Sequence, residues 1–362
     1  MTDWLIVKKA WEAVRKPDVC ARPYYVQLEV TTHCNLACYM CVRNEVIKHP
    51  RHLAYEDFAR TFDRIRPHKL ALSGAGEPLL HPDLVRMIAH ARTHGAAVQI
   101  PTNGTLLGRP GMSQGIVEAG LSILKISLDA ATAQTYQAIR RQDCFDQIVA
   151  GIGELSRRKR ESRSRQPEIR VDVVILKENF AEIPAIVRLA RELGVAVVYF
   201  RALQTKGIGK EREEAIGKDL DFDALRDVVR QGIAEATRLG IRANLKDIAR
   251  DFDSYHSIYQ RQDADMSNQV CLLPWLQCFI SVKGELSPCC ATYTNESFSA
   301  GNVFEQDFEA VWNGPKMQSI RRRFKSRQNP FAVCRDCIPH SLPVLLKMGS
   351  MLPGFVFRAL RR

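Results

Sequence analysis

Short runs of β-branched and apolar residues alternate, over the first two hundred positions, with longer segments whose apolar residues recur at helical spacing. The runs at 25–31, 69–73, 98–101, 123–128, 169–176 and 195–200 read as strands. Between them the patterns near 55–66, 82–94, 113–119, 131–140, 146–158 and 181–193 read as helices. Strand–helix alternation predicts right-handed parallel crossovers and a sheet covered by helices. Six such units are fewer than the eight of a closed barrel, so an open, partial barrel or a doubly wound sheet is expected.

After position 201 the pattern changes. A charged stretch at 206–218 leads into an amphipathic helix at 222–239, with Leu225, Val228, Val229 and Ile233 on one stripe. A polar stretch at 251–268 reads as a linker, and 271–337 is short-stranded and rich in cysteine. We therefore expect five segments. They are a helical N-terminal extension (1–23), an α/β core (24–205), a helical linker (206–268), a small cysteine-rich domain (269–340) and an apolar, basic tail (341–362).

Composition narrows the class. Of 362 residues, 46% are hydrophobic and 25% charged, which excludes a disordered chain. No apolar run reaches the roughly 18–20 residues of a membrane span, and positions 1–10 show no signal segment, so a cytoplasmic protein is expected. The excess of 52 Lys+Arg over 40 Asp+Glu gives a net charge of +12, which favours anionic partners without naming them. The basic run at 157–165 reads as a solvated helix end, so no nucleic acid is expected. Eleven cysteines, clustered and without a signal segment, point to metal or redox ligands rather than a disulfide framework.

The first cluster is Cys34, Cys38 and Cys41, directly after the first strand. Three thiolates can hold a [4Fe–4S] cluster with one iron left open, or a zinc ion completed by His33 or His49. Other strands end in equally unusual segments: Ser73-Gly74-Ala75-Gly76-Glu77-Pro78, Thr102-Asn103-Gly104-Thr105 and Ser127-Leu128-Asp129. Ligands of parallel α/β folds bind at these strand ends, so one ligand surrounded by all four loops is expected.

With Cys34-x3-Cys38-x2-Cys41, Gly76-Glu77-Pro78, Ser127-Leu128-Asp129 and Tyr136-x3-Arg140 in this order, residues 24–201 resemble the radical S-adenosylmethionine (radical SAM) superfamily. The resemblance implies a partial (β/α)6 TIM-like barrel and a [4Fe–4S] cluster on Cys34, Cys38 and Cys41 whose open iron binds S-adenosylmethionine. It also implies that Gly76 and Glu77 contact the methionine amino group, Ser127 and Asp129 the ribose, and Arg140 the methionine carboxylate. Thr102 and Asn103 belong to the same cosubstrate-binding set, and Met40 stands beside the adenine where family members often carry an aromatic residue. A second departure is Ala75-Gly76 in place of the common double glycine.

The second cluster comprises Cys271, Cys289, Cys290, Cys334 and Cys337, with Cys278 nearby. Four thiolates can close a structural zinc site or a fully ligated [4Fe–4S] cluster, and spacing alone does not choose. Cys289 and Cys290 are adjacent, so one of the two is expected to be a ligand. The spacing resembles the SPASM and Twitch auxiliary-cluster domains. That implies one auxiliary [4Fe–4S] cluster held by Cys271, Cys289, Cys334 and Cys337. Cys20, Cys144, Cys278 and Cys290 are left over and read as small buried hydrophobes, and Trp312 reads as core.

By the same resemblance, S-adenosylmethionine is reductively cleaved to a 5′-deoxyadenosyl radical that takes a hydrogen atom from the substrate. A flavodoxin or ferredoxin is the expected electron donor. We expect a dehydrogenase-like oxidation of a small polar molecule (a sugar, aminocyclitol or nucleoside), because only about 24 residues precede the first strand, too few for a peptide-recognition domain. The alternatives are modification of a ribosomally made peptide and a non-catalytic electron-transfer or binding protein. The apolar tail at 341–362 raises contact with a membrane surface or a lipid-linked substrate.

Overall fold

In the computed structural model, residues 22–41, 43–202, 220–250, 252 and 271–335 are described. Residues 1–21 of the expected extension, the charged stretch 206–218, all but Phe252 of the polar stretch 251–268, Cys20, Cys337 and the tail lie outside them.

The described elements run in the order expected. They are β1 (Tyr25–Leu28), α1 (Tyr55–Ile65), β2 (Lys69–Leu72), α2 (Leu84–Thr93), β3 (Ala97–Thr102), α3 (Met112–Glu118) and β4 (Ile123–Ser127). Then follow α4 (Ala133–Arg140), α5 (Phe145–Glu161), β5 (Glu168–Ile175), α6 (Ile183–Glu192), β6 (Val197–Ala202), α7 (Phe222–Leu239), β7 (Arg242–Ala243) and α8 (Leu245–Arg250). The rest comprises α9 (Leu273–Leu276), β8 (Gln277–Ile280), β9 (Leu286–Ser287), α10 (Cys290–Glu296), α11 (Phe308–Trp312) and α12 (Pro315–Lys325). The chain forms two compact units, one of Leu28–Ala59 with Leu70–Gln262, the other of Met1–Gln27, Arg60–Lys69 and Asp263–Arg362.

In the larger unit the strands lie in the order β7-β6-β5-β4-β3-β2, and β3 to β7 pair in parallel. The Ser73 N–H bonds the Leu28 carbonyl at 3.0 Å, which brings the end of β1 beside the end of β2. The order never reverses. A doubly wound sheet would reverse it at a switch point, so the architecture is the partial barrel. The longer strands bury every second residue under the helices: Ile169, Val171, Val173 and Ile175 on β5, and Val198 and Phe200 on β6. Opposite them α6 buries Ile183, Ile186, Val187 and Ala190, the i, i+3, i+4, i+7 stripe of an amphipathic helix. Asp221 caps α7 by accepting the Ala224 N–H at 2.9 Å, and Gly240 ends it in the left-handed region at φ 64°.

Two details depart from the sequence pattern. β1 stops at Leu28 rather than at 31, because Thr31 and Thr32 turn to the 51–52 segment: the Thr32 N–H bonds the Arg51 carbonyl at 3.0 Å, and Thr31 bridges His52. β7 is an added strand of two residues with no apolar run to announce it. The Asn244 side chain sews it to β6 by accepting the Phe200 N–H and donating to the Phe200 carbonyl, each at 2.8 Å.

The smaller unit contains the antiparallel β8–β9 hairpin, in register Phe279↔Ser287 and Ile280↔Leu286. Gly284 sits in its turn at φ 87°, where a Cβ would lie 2.4 Å from Asn302 Oδ1. Trp275, Phe279, Phe308, Trp312, Met317, Ile320 and Phe324 are buried in this unit, and Trp312 is core as expected.

Candidate active site

The loop after β1 carries the three cysteines. Cys38 is buried, Cys34 and Cys41 are half-buried, and all three are free thiols. The Cys41 N–H bonds the Cys38 carbonyl at 3.1 Å, which turns the loop tightly between two of the thiols. Burial pushes the Cys34 and Cys41 thiols above their usual range, so they stay protonated until a metal takes the proton's place. Met40, beside Cys41, is half-buried. The loop is tied at three further points. The Arg43 Nε donates to the Thr32 carbonyl at 2.8 Å, Asn35 Nδ2 donates to Thr105 Oγ1 at 2.9 Å, and the Tyr39 hydroxyl reaches Glu178 at 3.5 Å.

The segment after β2 packs onto that loop. A Cβ on Gly76 would lie 2.4 Å from the His33 carbonyl oxygen and 2.5 Å from that of Thr31, so only glycine fits the approach. The Glu77 N–H then bonds the His33 carbonyl at 2.7 Å. The Glu77 carboxylate is buried and turned toward the segment after β3. Oε1 accepts the Leu79 N–H at 2.9 Å and the Thr102 hydroxyl at 2.7 Å, and Oε2 accepts the Asn103 N–H at 2.6 Å. Burial raises its pKa against the pull of these donors and of Arg140. A carboxylate has about four lone-pair sites, so three internal donors leave about one for a ligand. Asn103 continues the tie: its Nδ2 donates to Asn35 Oδ1 at 2.9 Å, and its Oδ1 accepts the Thr105 hydroxyl at 2.7 Å.

The third group forms around Arg140, at the end of α4. Its guanidinium pairs with the buried Asp129 carboxylate, lies 3.4 Å from Cys38 Sγ, and reaches the Ser127 carbonyl at 3.5 Å. Burial opposes the cation, but Asp129 and the Cys38 sulfur outweigh it and hold its proton more tightly than usual. Arg140 Nε is buried without a hydrogen-bond partner among the described residues, a donor aimed at nothing the chain supplies. Asp129 adopts φ 52°, unusual for a residue with a side chain, and is held there from two sides. Its Oδ1 accepts the Val174 N–H at 2.7 Å, and its carbonyl accepts from Asn179 Nδ2 at 2.7 Å.

The eight residues expected to bind the cosubstrate and the three thiols thus lie in one unit, at strand ends or in the loops after them except for Arg140, which ends α4. Three residues that build the site escaped the sequence reading. Asn35 joins two loops, Asn179 holds Asp129, and Glu182 accepts from the Ala131 N–H at 2.7 Å and from the hydroxyls of Thr132 and Thr135 at 2.9 and 2.7 Å. The signal for Asn35 was its place inside the cysteine motif; Asn179 and Glu182 look like ordinary loop residues.

In the smaller unit Cys271 precedes α9 and Cys289 precedes α10, and the turn carrying Cys334 packs against α10. Cys271, Cys289 and Cys334 are half-buried, and Cys290 is exposed. Cys278, on β8, is wholly buried and its thiol is pushed up by burial, as a small core hydrophobe would be.

The model of the radical SAM superfamily matches residues 28–190, and that of the SPASM iron-sulfur cluster-binding domain matches 271–338. This chain belongs to the radical SAM superfamily and carries a SPASM domain. A cofactor-modifying protein for tungsten-containing aldehyde ferredoxin oxidoreductase, from Pyrococcus furiosus, is 26% identical over 86% of this chain and 86% of its own length. The mycofactocin maturase MftC of Mycobacterium tuberculosis is 26% identical over 87% of this chain and 75% of its own. Among solved structures, Streptococcus suis SuiB bound to the precursor peptide SuiA is 15% identical, with a TM-score of 0.64 over 88% of this chain and 71% of that one. The cofactors of this radical SAM enzyme are S-adenosylmethionine and [4Fe–4S] clusters. The chain fits them: three soft sulfur donors in one loop suit iron, and the unpartnered Arg140 Nε suits a carboxylate. Among the described residues no helix is long and apolar enough to cross a membrane.

Proposed function

We propose that this radical SAM enzyme is a maturase that modifies a residue of a ribosomally made precursor peptide by hydrogen abstraction. What carries the reading is similarity to a maturase and to a cofactor-modifying protein along 86–87% of the chain, barrel and SPASM domain together. The fold it shares with SuiB, solved with a precursor peptide, accords with it. These relatives favour a maturation substrate over the sugar, aminocyclitol or nucleoside expected from the sequence, and net oxidation by a dehydrogenase-like route is one fate of the substrate radical.

Cys34, Cys38 and Cys41 would hold the cluster, whose bound form supplies the electron that opens the sulfonium of S-adenosylmethionine. Arg140, already charged and carrying the free Nε donor, would take the methionine carboxylate. Glu77 would offer its remaining lone pair to the methionine ammonium, while Thr102 and Asn103 hold it still. Ser127 and Asp129 would face the ribose, with Met40 beside the adenine. Cys271, Cys289, Cys334 and Cys337 would hold the auxiliary cluster, and a flavodoxin or ferredoxin would deliver electrons.

The test is 5′-deoxyadenosine formation by the anaerobically reconstituted, dithionite-reduced chain, read by mass spectrometry. Peptides encoded by short reading frames beside the gene should raise the rate above the substrate-free level. Stimulation by aminocyclitols or nucleosides alone would return the small-molecule reading.

A further inference from the structure

Asn179, in the turn after β5, spends its amide on two neighbouring strand ends. Its Oδ1 accepts the Leu176 N–H at 2.8 Å, and its Nδ2 donates to the carbonyls of Val174 at 2.8 Å and Asp129 at 2.7 Å. The N–H of the same Val174 reaches Asp129 Oδ1 at 2.7 Å. Asp129 is therefore gripped by backbone and side chain at once, and both it and Asn179 are buried. The grip holds Asp129 at φ 52°, a left-handed conformation that residues with a side chain seldom adopt.

The grip reaches the cysteine loop through Arg140. Asp129 Oδ2 pairs with Nη2, which also reaches the Ser127 carbonyl at 3.5 Å, and Nη1 lies 3.4 Å from Cys38 Sγ. A guanidinium is a rigid planar fork, so a carboxylate that fixes one nitrogen sets the direction of the other two. Here Nη1 is left facing sulfur, and Nε faces no partner among the described residues. An ion pair with Asp129 alone would require neither the left-handed backbone nor the tie to Asn179. Because a guanidinium keeps its proton in proteins, its N–H to a thiolate is always charge-assisted.

We propose that Arg140 donates through Nη1 to the Cys38 sulfur and so raises the reduction potential of the barrel cluster, and that Asn179 is a positioning residue that keeps this bond in place through Asp129. Hydrogen bonds to the sulfurs are one of the levers by which a protein sets the potential of an iron–sulfur cluster. A donor draws electron density from the thiolate, which favours the reduced, more negative cluster. The inference rests on the proposed function in taking Cys38 as a cluster ligand. It gives Arg140 a second duty: Nε stays available for the methionine carboxylate while Nη1 serves the sulfur.

The test is a redox titration of the full chain, reconstituted with iron and sulfide and followed by electron paramagnetic resonance. The signal to follow is the one that changes shape when S-adenosylmethionine is added, which separates the barrel cluster from the auxiliary one. Arg140→Lys keeps the charge but not the fork. It should lower the midpoint potential by a change of about ten-fold in the oxidised-to-reduced ratio, about 59 mV for one electron. Asn179→Ala and the milder Asn179→Ser alter no charge, and each should shift the ratio about three-fold in the same direction. In the Arg140→Lys background they should add nothing, since the bond they support is already lost. Arg157→Gln, at the exposed pair with Glu154 on α5, should leave the potential at its wild-type value. An Arg140→Lys potential within about two-fold of wild type overturns the sulfur bond. Asn179 variants that stay within about two-fold, or whose shifts add in full to that of Arg140→Lys, overturn the role of Asn179. If no wild-type signal responds to S-adenosylmethionine, the cluster assignment falls and this inference with it; a responsive signal with an unmoved potential sinks the inference alone.

Discussion

The two cysteine regions of this enzyme are built on opposite plans. Around Cys34, Cys38 and Cys41 the barrel loops bury polar groups in quantity: Glu77, Thr102, Asn103, Thr105, Asp129 and Asn179, each hydrogen-bonded to another loop. Around Cys271, Cys289 and Cys334 the unit is held by an apolar core of Trp275, Phe279, Phe308, Trp312 and Phe324. One buried cation joins it: Arg321 donates to the carbonyls of Pro274 at 3.0 Å and Trp312 at 2.9 Å, and stacks over the Trp312 ring at 4.4 Å. A site that holds a second, polar molecule needs donors and acceptors fixed before it arrives. A site that only holds metal needs its ligands kept still, and hydrophobic packing can do that.

The strongest way to break this contrast is to remove each cysteine set in turn. Ala at Cys34, Cys38 and Cys41 should lower iron from about eight to about four atoms per chain and abolish 5′-deoxyadenosine formation. Ala at Cys271 and Cys289 should lower iron equally yet leave substrate-free cleavage of S-adenosylmethionine measurable. Cleavage surviving in the first variant would undo the assignment.

Next in size is Glu77→Ala, which strands the Leu79 and Asn103 N–H groups and the Thr102 hydroxyl. At about 1–3 kcal/mol for each buried donor left unmade, chemical denaturation should show a loss of at least about 3 kcal/mol. Glu77→Gln, which keeps an acceptor oxygen, should cost less. Arg321→Met probes the other plan. It leaves two carbonyls without their donor, and a loss of about 2 kcal/mol is expected, seen calorimetrically in the transition of the SPASM-containing unit. An equal shift in the barrel transition would mean that the two units do not unfold separately.

The smallest effect belongs to a surface pair outside both sites. Arg238, hydrogen-bonded to Glu235, holds its carboxyl down to about 2, with Arg188 adding to the pull. A depressed carboxyl stabilises the fold above its ordinary value near 4.5, and that contribution is lost as pH falls through about 2. Thermal melts of Glu235→Gln should therefore differ slightly from wild type at pH 7 and coincide with it below pH 2.

The cysteine spacing, the Gly76-Glu77 pair and the strand-end polar segments were legible because each breaks the local rules of an ordinary strand or helix. The strand–helix alternation was legible from period alone, but period left a partial barrel and a doubly wound sheet both open, and only the resemblance chose between them. The supports were not. Asn179 acts on Asp129 from fifty positions away in the chain, and nothing local distinguishes it from a loop asparagine. Arg321 hid in the basic run of α12, yet it occupies the buried stripe of Met317, Ile320 and Phe324, and the stripe was the available sign.

Gly76 has a consequence for anyone rebuilding this enzyme. Because its missing side chain is filled by the carbonyls of Thr31 and His33, the cysteine loop and the glycine–glutamate loop are cut to one another's shape. A cysteine loop transplanted from another scaffold would meet a gap or a collision unless 74–77 travelled with it. The two stretches behave as a single interchangeable part, although the 32 residues of 42–73 separate them in the chain.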